Sequence, residues 1–452
     1  MKLLTFTIRL SLLIALLITS GCTFGSSDKE HTLKPFGKNE EAVLKVAIPA
    51  EIMAVKNYAS MLSAKFPKLE VELVTYPIVT DEETFDQWVD DNQPDVFWFN
   101  DEHTFLKWID DGKLFELDTM IEVDNIDLDQ MNRKIIDYIR MKGKGKMYAL
   151  SPTFYNSALL YNKDLFDRYG IDYPHDQMSW EEVLLLASKF PTQGDDGEQI
   201  YGYIQDIGPT ITLIDMIAKD YKIDYLNEDS SKIQMNTPAW KRVSELVLDG
   251  YKQGYIYANL QGKVNRTRYT KMQEYVLEHS FLAGRAAMTV QDAIFIYALS
   301  QPETAVFNWD LATTPVDPSY PNESRYLHIK DFWGIRAASS NLRPAWEFLK
   351  LANSEEVARV HSKAFQDSAL YTRLDYGMER DGHDLQAFYK LGPSTSYFPP
   401  PPRGFSDDFT DMASEEINSV IKKEKSLDQA LEAIETRGQV LLDTINISLT
   451  NP

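Results

Sequence analysis

The chain holds few of the residue patterns on which catalysis is built. Its seven histidines include no pair separated by four residues, so no HExxH zinc helix can form. The nucleophile elbow GxSxG and the phosphate-cradling loop GxxxxGK[ST] are both absent, and acyl transfer or nucleotide binding of those kinds needs their glycines for close backbone approach. Asn125, Asp127 and Asp129 have the alternate spacing of a calcium loop, but the sixth position lacks Gly and the twelfth falls on Ile136. No metal or cofactor is expected from these patterns. With one cysteine, Cys22, among 452 residues, no intramolecular disulfide is possible. Carboxylate pairs are too numerous to exclude a surface glycoside hydrolase by spacing alone.

What the sequence does hold is aromatic residues beside acids and amides, and the elements around them say where they are delivered. The first half alternates strand and helix patterns, the signature of a parallel sheet covered by helices. VLKVAIP, from Val43, is a short buried strand. NYASMLSAKFP places Ala59, Leu62 and Phe66 on one helical face, and Pro67 stops it. LEVELV alternates Leu69, Val71 and Leu73 against Glu70 and Glu72. PDVFWF is a third strand, and its carboxyl end presents Trp98, Phe99, Asn100 and Asp101, the end at which open parallel sheets hold ligands. Later helices announce their starts: a capping box from Ser179 to Glu182, Thr237 as cap with Pro238 behind it, and Ser426 with Gln429. The whole reads as a two-lobed α/β protein. Trp240 and Trp346, set among apolar residues at helical spacing, read as core, and the proline run 398–402 reads as a stiff connector.

Charge and the N-terminal segment narrow the partners. Lys2 and Arg9 precede an apolar run from Leu10 to Ile18, far short of the ~20 residues that span a membrane, so the segment is a secretory signal. Thr19-Ser20-Gly21-Cys22 resembles a bacterial lipobox, with Thr19 in the place usually held by Leu; the resemblance implies cleavage before Cys22 and lipid on its sulfur. An ordinary signal peptide with an incidental cysteine is the other reading. Loss of residues 1–21 moves the formal charge from −22 to −24, so nucleic acid is not an expected partner. The basic run KGKGK, Lys142 to Lys146, reads as an exposed hairpin turn.

At MYALSPTFYNSALLYNKDLFDRYGID the sequence resembles a known family, the extracellular solute-binding lipoproteins of ABC importers, especially those for oligosaccharides. The resemblance rests on Tyr148, Pro152, Tyr161, Asn162, Lys163, Asp164, Leu165, Phe166 and Gly170, then on Ser179-Trp180-Glu181-Glu182, on FLAGRAAM from Phe281, and on WGIRAASSNLRPAWEFLKLANSEE from Trp333. It implies a periplasmic-binding-protein-like fold of type II, two lobes hinged around a cleft. By this resemblance residues 1–21 are the signal peptide and 22–40 a tether; 41–150 with 289–328 form the first lobe, and 151–288 with 329–452 the second. It also implies a protein that performs no chemistry, needs no cofactor, works as a monomer, and hands a carbohydrate to ABC permease subunits at the outer face of the cell membrane, where lipid on Cys22 holds it.

Sugars present flat C–H faces and rings of hydroxyls, which suit aromatic platforms edged by carboxylates and amides. The resemblance points to Trp98 and Asp101 at the third strand's end, Tyr155 and Asn156 at a crossing between lobes, Gln291 and Asp292 after AAMTV, and Trp333 on the returning strand. Each has a plainer alternative: one of Trp98 and Phe99 must be core, Asp292 can cap a helix, and Trp333 can simply pack. A ligand-sensing lipoprotein that signals to a membrane kinase is a rival reading with the same architecture. The N-terminal motif makes a direct prediction. Cys22→Ala abolishes labelling by a fatty-acid analogue and changes processing or membrane retention; equal labelling of wild type and variant refutes lipidation at Cys22.

Overall fold

The structure, a computed structural model, describes residues 34–49, 53–76, 82–205, 208–260, 280–300, 307–364, 369–380, 382–396, 398 and 401–450. The signal segment, Cys22 and most of the tether lie outside the described residues, as do Pro399 and Pro400 of the expected connector.

Two four-stranded sheets carry the architecture. In the first, β1 (Ala42–Ile48) runs parallel to β2 (Leu69–Thr75) and to β3 (Val96–Phe99), the alternation expected of successive strand and helix units. β2 keeps its acids outward, with Glu70 and Glu72 exposed and Leu69 buried. Further strands follow in the chain: β4 (Thr153–Phe154), β5 (Ser157–Asn162), β6 (Tyr201–Tyr203), β7 (Ala286–Asp292), β8 (Trp309–Thr313), β9 (Glu323–Ser324), β10 (Phe332–Ile335) and β11 (Leu370–Tyr371). The second sheet has the order β6-β7-β5-β8, with β5 antiparallel to both of its neighbours. Two apolar cores pack against the sheets: Phe97, Trp108, Ile135 and Phe348 belong to one, which also takes in Ala158, Leu160 and Trp309 of the second sheet, and Trp180, Tyr203, Trp240 and Phe409 belong to the other.

The expected exchange of segments between lobes runs the other way at the strands. β8, inside 289–328, pairs with β5 in the second sheet, whereas β10, beyond 329, returns to the first sheet antiparallel to β3. The helix Leu342–Ala352 follows β10 into the first core, and the chain rejoins the second only with the helices Phe405–Ile421 and Leu427–Thr450. Alternation within a strand reports which residues are buried but not which sheet receives them.

The helix starts hold as the sequence implied. Ser179 and Glu182 form a reciprocal capping box, Thr237 accepts from the Trp240 N–H, and Ser426 and Gln429 exchange hydrogen bonds at the start of the last helix. Such side chains satisfy the N–H groups that a helix's first turn leaves without partners. The basic run is a correction. Lys142 ends the helix Arg133–Lys142 rather than a strand, and Gly143 starts the turn out of it. A β-carbon at Gly143 would lie 2.1 Å from the Lys146 carbonyl oxygen, so the alternate glycines serve the tight turn. Lys142 pairs with Glu102, Lys144 with Asp110 and Lys146 with Glu116; the run is spent on neighbouring acids.

The returning helix Leu342–Ala352 is fixed to the first lobe by charge. Asp124 accepts from Lys350 Nζ at 2.5 Å and from the Trp346 indole N–H at 3.0 Å, and Arg343 lies 3.3 Å away. Burial opposes the Asp124 charge, but these three donors outweigh it and hold the carboxyl below its ordinary value. Trp346 is fully buried, as expected of a core residue. Asp124→Asn leaves Arg343 and Lys350 with Glu347 alone, 3.6 and 2.7 Å away, and is expected to cost about 2 kcal/mol at neutral pH. A carboxyl whose folded pKa is depressed adds stability above its unfolded value, near 3.9, and loses it as pH falls through the folded value. Denaturant midpoints of the two proteins therefore converge below about pH 4; a gap independent of pH refutes the ionic contribution.

Candidate functional site

The chain passes between the lobes along two adjacent segments. Leu150 and Trp333 exchange backbone hydrogen bonds of 3.1 and 2.9 Å, and five residues along each segment Tyr155 and His328 exchange two more of 2.8 Å. A third passage lies alongside: β11 pairs with β4, and the strand Gly392–Pro393 pairs with β9. These passages form the floor between two sets of strand ends. On the first lobe, β1 to β3 run parallel, so Tyr76, Asn100 and Asp101 follow their carboxyl ends. On the second lobe, β6 and β7 run parallel and the register sets Ser157 opposite Asp292. Gln205, Gln291 and Asp292 therefore close the sheet at the end facing the floor.

The expected site residues divide into two groups. Trp98, Asn156 and Trp333 are structural supports in this conformation. Trp333 is 2% exposed, stacked against Trp98 with ring centroids 5.4 Å apart, and further enclosed by Phe348 at 5.3 Å and Tyr58 at 6.3 Å. It leaves no ring face for a ligand, contrary to the platform role, because β10 lies within the first sheet beside β3 instead of lining the opposite lobe. Trp98 is 9% exposed and donates its indole N–H to the Lys330 carbonyl at 3.0 Å. Asn156, 2% exposed, donates to the Phe388 carbonyl at 2.7 Å and accepts from the Ser157 N–H and the Ser324 hydroxyl. Its amide ties β5 to the third passage and is not available to a ligand.

Asp101, Tyr155 and Asp292 stand nearer to solvent, whereas Gln291 is buried. Asp101 is exposed and caps the helix Glu102–Asp110 through the Thr104 N–H at 2.8 Å. Tyr155 is half-buried, with the Lys330 ammonium 5.5 Å from its ring centre. Gln291 donates to Thr289 at 3.1 Å. Asp292 sits at the strand end before the helix Ile294–Leu299; sheltering from water raises its carboxyl pKa against the pull of the Ile294 and Phe295 N–H groups.

Several neighbours were not singled out from the sequence. Tyr76 donates to the Trp98 carbonyl at 2.9 Å, and burial together with the Asp101 charge raises its hydroxyl pKa. Glu102 accepts from the Tyr138 hydroxyl at 2.6 Å and pairs with Lys142 at 2.5 Å. His328 and Lys330 are exposed on the floor while Ile329 and Asp331 are buried. Protein crowding around the otherwise exposed His328 costs it hydration and, with the charges of Lys330 and Arg325, lowers its pKa against the pull of Glu102. A period-two alternation just before DFWGI is the signal that could have found this pair.

Two sheet-and-helix lobes about a floor crossed repeatedly by the chain define the class of two-lobed binding proteins. The family model described as bacterial extracellular solute-binding protein matches residues 62–359, and the chain belongs to that family. Among solved structures it is similar to an extracellular solute-binding protein family 1 from Alicyclobacillus acidocaldarius, with a TM-score of 0.61 at 14% identity over 89% of this chain and 99% of that one. It is also similar to the sugar-binding protein MalE of Xanthomonas citri, with a TM-score of 0.57 at 14% identity over 91% and 100% of the two chains. The cyclic alpha-maltosyl-1,6-maltose binding protein of Arthrobacter globiformis gives a TM-score of 0.53 at 16% identity over 90% and 100%. At these identities the likeness is one of fold.

The packing of Trp333 sets a testable outcome. Trp333→Ala is expected to destabilise the protein by about 3–5 kcal/mol, as Trp346→Ala does, because each leaves a large cavity in the same core. Denaturant midpoints for both variants measure this; a loss below about 1 kcal/mol at Trp333 alone would return it to the role of a cleft residue.

Proposed function

We propose that the protein is a surface receptor that captures a carbohydrate, an oligosaccharide, between its lobes and delivers it to an ABC permease. The observation that carries this reading is the polar and aromatic floor, Tyr155 with His328 and Lys330, set between strand ends bearing Asn100 and Asp101 on one lobe and Gln205, Gln291 and Asp292 on the other. An aromatic face edged by amides and carboxylates matches a ring with C–H faces and peripheral hydroxyls. Two of the similar proteins are named for sugars or a sugar-containing ligand, which supports the same class.

In this reading Asp101, Tyr155, Gln291 and Asp292 contact the ligand, and Trp98, Asn156 and Trp333 hold the contacts in place. The site binds without catalysis. Ligand drives closure only by binding the closed arrangement more tightly than the open one. Cleavage after Gly21 and acylation of Cys22 would hold a monomeric receptor at the outer face of the membrane, with residues up to 40 as the tether. A sensing role beside a membrane kinase uses the same receptor; permease genes next to this one favour import, and a kinase without a permease favours sensing.

A thermal-shift screen over neutral and acidic mono- and oligosaccharides, with amino acids and polyamines as controls, tests the ligand class. At one hundred times its dissociation constant a ligand adds about 2.7 kcal/mol to native stability, so at least one oligosaccharide should raise the melting temperature clearly. A shift from amino acids or polyamines alone refutes the carbohydrate assignment.

A further inference from the structure

The floor carries an ionic feature that the rest of this acidic chain does not suggest. The formal charge is −22, and four carboxylates near the crossing have partners within the protein, although Asp101 and Asp292 remain exposed. Asp101 is committed to the Thr104 N–H, Glu102 to Lys142 and Tyr138, and Asp331, buried, accepts from the Thr153 hydroxyl. Asp292 is sheltered against the N–H groups of Ile294 and Phe295.

Lys330 is not compensated in this way. It is exposed, and no carboxylate of the described residues lies within ion-pair distance of its ammonium, which sits beside the Tyr155 ring instead. Its position is fixed from both directions: the Trp98 indole holds its carbonyl, and the Tyr155–His328 and Leu150–Trp333 pairings bracket its segment. Shielding of His328 from water favours its neutral imidazole, and the fields of Lys330 and Arg325 act the same way against that of Glu102. The floor thus presents a cation carried on a fixed stretch of backbone, a tyrosine face and an imidazole able to donate and accept. A cation that no carboxylate of the described residues pairs, standing beside an aromatic face, is complementary to a ligand anion.

We propose that the ligand of this cleft is an acidic sugar, an oligosaccharide bearing a carboxylate that Lys330 binds while Tyr155 covers an adjoining ring. This rests on the carbohydrate reading and narrows it. Lys330 supplies a point charge with three donors rather than a planar fork, so it selects for negative charge more than for one carboxylate orientation.

The test uses the mature chain and matched probes: oligogalacturonate against galacto-oligosaccharide, and glucuronate-bearing xylo-oligosaccharide against the undecorated form, measured by calorimetry at low and at high salt. The expected result is at least a tenfold tighter dissociation constant for the acidic member of one pair, with the margin shrinking as salt rises. Lys330→Gln removes that margin and, because its exposed ammonium makes no ion pair and loses only the contact with the Tyr155 ring, moves the ligand-free melting temperature little. Equal or tighter binding of the neutral members overturns the acidic-sugar proposal while leaving the carbohydrate reading standing. A margin that survives Lys330→Gln, with ligand-free melting little moved, overturns the role of Lys330. If neither member of either pair binds, the proposal falls. It takes the carbohydrate reading with it when the wider screen is also silent for sugars.

Discussion

The geometry of the whole molecule depends on the antiparallel contact between the segments 150–156 and 328–333. Its hydrogen bonds are backbone to backbone, from Leu150–Trp333 at the first lobe to Tyr155–His328 five residues on. Because one segment leads into β5 of the second sheet and the other into β10 of the first, the contact sets where the two sheets stand relative to the floor. Trp98 adds a side-chain tie from β3 to the Lys330 carbonyl, and Asn156 adds one from β5 to Phe388. Any change in lobe angle must be absorbed by φ and ψ changes in these few residues, since the packed cores on either side deform little.

Each end of this floor is built against a rigid body. On the first lobe the aromatic cluster of Trp98, Trp333, Tyr58 and Phe348 backs β10. On the second, Arg325 and Tyr326, just upstream of His328, both reach the buried Asp220, which also accepts from the Trp180 indole. Burial raises the Asp220 carboxyl pKa against the opposing pull of the Arg325 guanidinium 2.6 Å away. The polar residues facing the cleft are thus held by elements whose own hydrogen bonds are satisfied, the condition for fixed binding geometry.

Much of the fold was legible because local rules act locally. The strand alternation at Leu69 to Leu73, the caps at Ser179, Thr237 and Ser426, and the core placement of Trp240 and Trp346 all follow from spacing within one element. The partner sheet of β8 and β10 was not legible, because it is decided by pairing between residues more than one hundred positions apart. That error carried into the site. The sequence places Trp333 at a lobe boundary with a ligand-facing role, whereas its strand forms the edge of the first sheet and its ring is packed into the first core. His328 and Lys330 were overlooked for the converse reason: an exposed residue gains meaning only from what the fold sets across from it, here Tyr155.

The late return of the chain to the second lobe bears on how the protein matures. The second core is completed by Phe405, Phe409, Ile417, Leu431, Ile434 and Leu442, contributed by the two final helices. The sheet and helices they cover are synthesised between residues 157 and 313, and the entire return through the first lobe intervenes. A chain threaded out of the cell from its N-terminus therefore exposes the apolar back of the second lobe until its last ~50 residues emerge. During that interval the first lobe can already be complete while the second remains open. Export of this receptor is a period of aggregation risk concentrated on one lobe, and tethering at the opposite terminus would keep that unfinished surface close to the membrane and to whatever chaperones work there.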